Sequence, residues 1–144
     1  MANEQPTPIA TDAIPTLHSP DATRSIAWLV DVLGLREIAV MRDATGRVVH
    51  GELAFGTNGV VLMSDEPTAD EQQRALIRTG IGSVYLVCDE PEVERRWAAV
   101  QASAAAGDCA VVIALERPAY GGATFTCTDA DGHYWTVGSY RPRV

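Results

Sequence analysis

Residues 126–140 read TCTDADGHYWTVGSY. Phe125, Thr126 and Cys127 form a β-prone run before Asp129-Ala130-Asp131-Gly132, and Tyr134, Trp135, Thr136 and Val137 form another after it. Asp side chains bond nearby backbone and glycine accepts positive φ, so this spacing predicts a hairpin. A similar stretch, FGTNGVVLMSDEP at 55–67, closes the first half of the chain. The chain reads as one unit used twice.

Working outward, residues 13–18 (AIPTLH) predict a first strand, with Pro15 at an edge or strand start. Ser19-Pro20-Asp21 supply a turn and an N-cap, and Ile26, Leu29, Val30 and Leu33 then fall at helical spacing up to Gly34. Strands follow over 36–41, 48–55 and 60–63. The second half repeats the order. A strand at 81–88 leads to a helix at 90–106, with Val93, Trp97 and Val100 on one stripe and Glu92 oriented toward Arg96. Gly107 ends it, and strands are expected over 110–115, 123–128 and 133–138.

The expected fold class is α+β: two tandem β-α-β-β-β modules forming a curved mixed sheet around a cleft. One domain is expected overall, with a tail at 1–12, modules at 13–64 and 80–140, a connector at 65–79 and a tail at 141–144.

A length of 144 residues suits one domain with a sizeable core. The net charge of −8 argues against nucleic acid or an anionic membrane as partner, since both select for clustered Lys and Arg. Cys88, Cys109 and Cys127 are odd in number and widely spaced, which argues against a disulfide framework or a zinc ribbon; Cys88 and Cys127 read as core residues. No run approaches a bilayer span, and the N-terminal residues lack a basic start and an apolar run, so a cytoplasmic protein is expected.

The chain resembles the vicinal oxygen chelate superfamily, which includes glyoxalases, bleomycin-resistance proteins and extradiol dioxygenases. The resemblance rests on residues 21–35, 89–102 and 119–138 and on the doubled module order. It implies paired modules around a U-shaped cavity, commonly as dimers. It also implies a divalent metal held by a His, or equivalent, on the first strand and a Glu, or similar, on the last strand of each module. Counted from Gly59, Gly132, Asp21 and Asp89, those positions here are Met63, Thr136, Ile14 and Gly82. That set does not suit a divalent metal. The resemblance therefore points to the metal-free binding branch, with no cofactor.

The ligand-lining candidates are Thr16, His18, His50, Met63, Val84, Leu86, Tyr120, Tyr134 and Thr136, together with Ile14. The expected function is sequestration of an aromatic or peptide natural product by a homodimer, in the manner of drug resistance. The alternative is a glyoxalase-like lyase or isomerase, or a dioxygenase-type enzyme, using His18, His50 and Glu52 as base or as a non-standard metal site; His50 and Glu52 share a strand face. Trp28, Trp97 and Trp135 are expected in the core, and His133 on an exposed turn.

Overall fold

The computed structural model describes residues 11, 14–66, 82–119 and 121–141. Strand β1 (Thr16–Ser19) leads into helix α1 (Ala22–Trp28), which widens into a π-helical turn (Leu29–Leu33). Strands β2 (Arg36–Arg42), β3 (Val48–Phe55) and β4 (Gly59–Asp65) complete the first half. The second half runs β5 (Ser83–Val87), α2 (Glu90–Ala105), β6 (Ala110–Glu116), β7 (Thr124–Thr128) and β8 (Tyr134–Gly138). Of the expected connector, only Asp65 and Glu66 lie among the described residues.

Both helices start on an aspartate. The Asp21 carboxylate accepts from the Arg24 N–H at 3.1 Å, and Asp89 accepts from the Glu92 N–H at 2.9 Å. Each cap satisfies an otherwise orphaned donor and contributes about 1 kcal/mol. Gly34, at φ 77°, closes the π-helical turn in the left-handed conformation that glycine adopts without a steric penalty.

Each half forms a four-stranded sheet of the same topology, β1-β4-β3-β2 and β5-β8-β7-β6. The first and last strands of each half pair in parallel, and the other pairs are antiparallel. This is the two-module α+β architecture that the sequence predicts.

One face of each sheet is buried. In the first, Leu17, Met63, Val61 and Leu53 fill it; in the second, Val84, Leu86, Phe125, Cys127, Trp135 and Val137 do. These residues and the buried positions of both helices make one continuous core. Trp135 is fully buried, which removes enough apolar surface for roughly 4–6 kcal/mol of transfer free energy. Trp28 and Trp97 are half-buried: the Trp28 indole N–H donates to Ser103 Oγ at 2.9 Å, tying α1 to α2, and Trp97 packs 5.4 Å from the Phe125 ring. Burial drives the thiols up, Cys88 to about 11 and Cys127 to about 12, so both stay protonated as small hydrophobes. No helix among the described residues is long and apolar enough to cross a membrane.

Candidate functional site

Opposed residues on paired strands point to the same face, so the register assigns the other, open face of each sheet. In the first sheet Glu52, Leu62 and Thr16 form one row across β3, β4 and β1, and His18 stands beside Ser64 in the next. In the second, Tyr85 stands opposite Thr136, which stands opposite Thr126, while Ser83, Tyr134 and Thr128 form the adjacent row. The two open faces differ in chemistry. The first carries the imidazoles and a carboxylate; these rows of the second are entirely hydroxyl-bearing, with Thr126 and Thr136 bonded at 2.8 Å.

The sequence-predicted residues therefore divide. Thr16, His18, His50, Tyr134 and Thr136 lie on the open faces, as does Glu52. Met63 is fully buried on the core face, and Val84 and Leu86 stand opposite Trp135 and Val137 on the core face of the second sheet. Val84 and Leu86 thus do not share a face with Tyr134 and Thr136. Ile14 is exposed ahead of β1, and Tyr120 lies outside the described residues.

The phase difference has a local cause. Gly59 is itself the first residue of β4 and pairs with Phe55, whereas Gly132 sits in the turn two residues before β8 begins. Counting from each glycine gives positions of opposite parity. The structure puts Leu62 and Ser64, in place of Met63, on the open face of β4 and adds Tyr85 to the open face of β5. Alternation along SVYLV carried that information, had it been read against TVG at 136–138.

His50 Nε2 lies 2.9 Å from Glu52 Oε1, on a part-exposed surface. With the carboxylate as acceptor, Nε2 carries the proton and Nδ1 is the basic nitrogen. His18 is held below its ordinary value, chiefly by burial, with the Glu66 charge opposing and His133 reinforcing that shift.

His133 corrects an expectation. It is 1% exposed, not a solvent-facing turn residue. Its Nδ1 meets Asp129 Oδ2 at 2.8 Å, and the same oxygen accepts the Trp135 indole N–H at 3.0 Å. Asp129 Oδ1 takes the backbone N–H groups of Asp131 and His133. Burial pulls His133 down, but the hydrogen bond and charge of Asp129, the Asp131 charge and the His18 backbone outweigh it and raise the imidazole above its ordinary value. Burial likewise opposes ionisation of Asp129, yet the His133 and Trp135 bonds hold its carboxyl below the usual value.

Asp131 extends this network into the first half of the chain. Its carboxylate accepts from Ser19 Oγ at 2.6 Å, Ser25 Oγ at 2.7 Å and Arg24 at 2.7 Å. The hairpin is thus a latch between modules. Beside it, Gly82 packs so closely that an added Cβ would lie 2.1 Å from Leu17 Cδ2.

Two tests bear on a metal of the kind the fold implies. The open-face pairs on the first and last strands, Thr16/Leu62 and His18/Ser64 in one sheet and Ser83/Tyr134 and Tyr85/Thr136 in the other, offer hydroxyls, an alkyl group and one imidazole, with no carboxylate. Among the described residues, the clustered His, Asp and Glu ligand atoms belong to Asp129, Asp131 and His133, and those atoms are engaged in the latch. Neither set fits a divalent metal.

A cavity of about 540 Å³ opens where the halves meet, between Pro15 and the β3–β4 turn on one side and Val84–Val87 of β5 on the other. A smaller one, about 240 Å³, lies beside the latch between Trp28 and Asp108.

The model of the Glyoxalase/Bleomycin resistance protein/Dioxygenase superfamily matches residues 15–137. No curated protein matches the chain. Among solved structures, TioX from Micromonospora sp. ML1 aligns at 23% identity and TM-score 0.67, over 92% of this chain and 100% of its own. A glyoxalase/bleomycin resistance protein from Streptomyces sp. CB03234 aligns at 17% and 0.66, over 90% and 100%. Lactoylglutathione lyase from Agrobacterium tumefaciens aligns at 19% and 0.63, over 92% and 96%. At these identities the likeness is one of fold.

Proposed function

As this chain belongs to the Glyoxalase/Bleomycin resistance protein/Dioxygenase superfamily, we propose that it is a metal-independent small-molecule-binding protein that sequesters an aromatic or peptide natural product. The observation that carries this reading is the chemistry of the open-face pairs Thr16/Leu62, His18/Ser64, Ser83/Tyr134 and Tyr85/Thr136, which hold one imidazole and no carboxylate where a metal-dependent member needs several such ligands. A surface of hydroxyls with Tyr85 and Tyr134 suits a flat, oxygen-bearing ligand: the rings stack and the hydroxyls fix orientation. Sequestration then lowers the free ligand concentration by mass action, and no bond need break. The protein acts as a cytoplasmic homodimer, its modules at 13–64 and 80–140 forming one domain.

Isothermal titration with planar aromatic and peptide antibiotics tests this. Calorimetry is preferable to indole fluorescence because the three tryptophans lie in or against the core. We expect saturable binding that chelator leaves unchanged and that Tyr134→Ala weakens about tenfold, the loss of one stacking contact. Binding that appears only with added divalent metal overturns the reading.

The 2.9 Å His50–Glu52 pair favours a second reading, a lyase or isomerase of glyoxalase type with His50 as general base. Its mark is turnover of a candidate substrate that His50→Ala abolishes.

A further inference from the structure

Strand β6 is the outer edge of the second sheet, and its surface is unusual. Residues 110–114 are all exposed, with Val111 at 39%, Val112 at 48% and Ile113 at 45%. A strand with one face packed on a core alternates in burial; this one is apolar and open on both faces. Nor do residues 110–115 contain the charges or proline with which natural edges discourage pairing.

The matching edge of the first sheet is β2, which exposes Ile38 at 47% and Met41 at 55%. Each end pairs an arginine with an acid along the chain, Arg36 with Glu37 and Arg42 with Asp43, and the register puts Arg36 on the open face. Arg36 donates to the Gly56 carbonyl, and Arg42 to the Thr23 hydroxyl and the Gly46 carbonyl, so both guanidinium groups have neutral partners. The apolar stretch of β6 is instead flanked by Asp108 and Glu116, which form no ion pair among the described residues. On the open face, one edge therefore presents Arg36 and the other Glu116, neither in an ion pair among the described residues, and every copy carries both.

The registers match as well. On β2, Arg36 and Ala39 lie on the open face opposite Ala54 and Glu52; on β6, Glu116 and Ile113 lie on the open face opposite Thr124 and Thr126. A bulge between the two members sets a spacing of three in both strands, at Glu37/Ala39 and at Ile113/Glu116. An antiparallel approach that sets Ile113 over Ala39 therefore sets Glu116 against Arg36.

We propose that β6 of one copy seats against β2 of a second copy, with Ile113 on Ala39 and Glu116 on Arg36, and that two-fold symmetry repeats the seam. This rests on the homodimer reading above and names its surface. A desolvated core of aliphatic side chains supplies the association, and the terminal charge pairs select the alignment.

Sedimentation velocity of the full chain across a micromolar concentration series tests it, with circular dichroism to check each variant's fold. The wild type is expected to dimerise, Ile113→Asp to be monomeric, and Glu116→Arg to raise the dimer Kd about tenfold or more by placing like charges together. Adding Arg36→Glu to Glu116→Arg should return Kd to within about threefold of wild type, since the pair is then reversed and intact. A wild type that stays monomeric overturns both the homodimer reading and this surface. A dimer indifferent to Ile113→Asp and Glu116→Arg overturns the surface alone. Weakening by Glu116→Arg without rescue by Arg36→Glu overturns the pairing with β2.

Discussion

The β3–β4 turn and the β7–β8 hairpin hold equivalent places in the two halves, yet they have different work. The first, Gly56-Thr57-Asn58, is exposed and reaches its return strand through Gly59. The second holds Asp129, buried at 8% exposure, and His133 at 1%, and projects Asp131 onto Ser19, Ser25 and Arg24 of the other half. Repetition of a unit repeats its topology but leaves each turn free to specialise. Here one turn reverses the chain and walls the larger cavity, while the other binds side chains of the opposite half and fixes how the halves meet.

Substitution should expose that asymmetry. Asp129→Ala is expected to have the largest effect, a loss of about 3 kcal/mol in urea unfolding, because it strands the Trp135 indole N–H and removes the charge that holds His133. The value lies at the low end for a broken buried pair because the imidazole can give up its proton. Asp131→Ala should cost about 2 kcal/mol, mainly by leaving the Ser19 hydroxyl buried without its acceptor, while the Ser25 hydroxyl keeps Ser19 Oγ at 2.8 Å. Gly82→Ala, which forces a methyl group toward Leu17, should cost about 1–3 kcal/mol, nearer the lower figure if the leucine rotates. Asn58→Ala should stay within about 0.5 kcal/mol of wild type. Were Asn58→Ala to match Asp131→Ala, the two turns would be equivalent after all.

The latch also predicts a pH dependence. His133 is held above its ordinary 6.5, so its protonation stabilises the fold fully below 6.5, and that gain is lost as pH rises through the raised value. Asp129 is held below its ordinary 3.8, so its ionisation contributes fully above 3.8 and fails as pH falls through the lowered value. The latch is therefore strongest between 3.8 and 6.5. His18, lowered mainly by burial, runs the other way: its neutral form contributes fully above 6.5, and that contribution fades as pH drops. Urea midpoints of wild type and His133→Gln, compared from pH 4 to 9, separate the two. Their difference should shrink as pH rises above 6.5; a constant difference would show that His133 acts by packing alone.

How much of this was legible beforehand differs from element to element. The helix at Ala22 is marked by Asp21 and by the spacing of Ile26, Leu29 and Leu33, all local signals, although its widening into a π-helical turn at Leu29–Leu33 is not. Trp135 could be placed in the core from strand parity alone. Met63 could not be placed by counting from a glycine, because the count depends on where a turn ends and a strand begins. Val84 and Leu86 sit in an apolar run that looks the same from either face; pairing with Trp135 and Val137 decides which face they take.

By itself, then, the sequence determined the doubled module and its helices and strands, since periodicity, caps and turn residues act over a few neighbouring positions. Only the tertiary structure decided that His133 is buried, that Asp131 binds the opposite half, and that β6 is left bare on both faces. Each of those depends on residues far apart in the chain, as Ser19 and Asp131 are, and contact between such residues is set by how the two sheets pack.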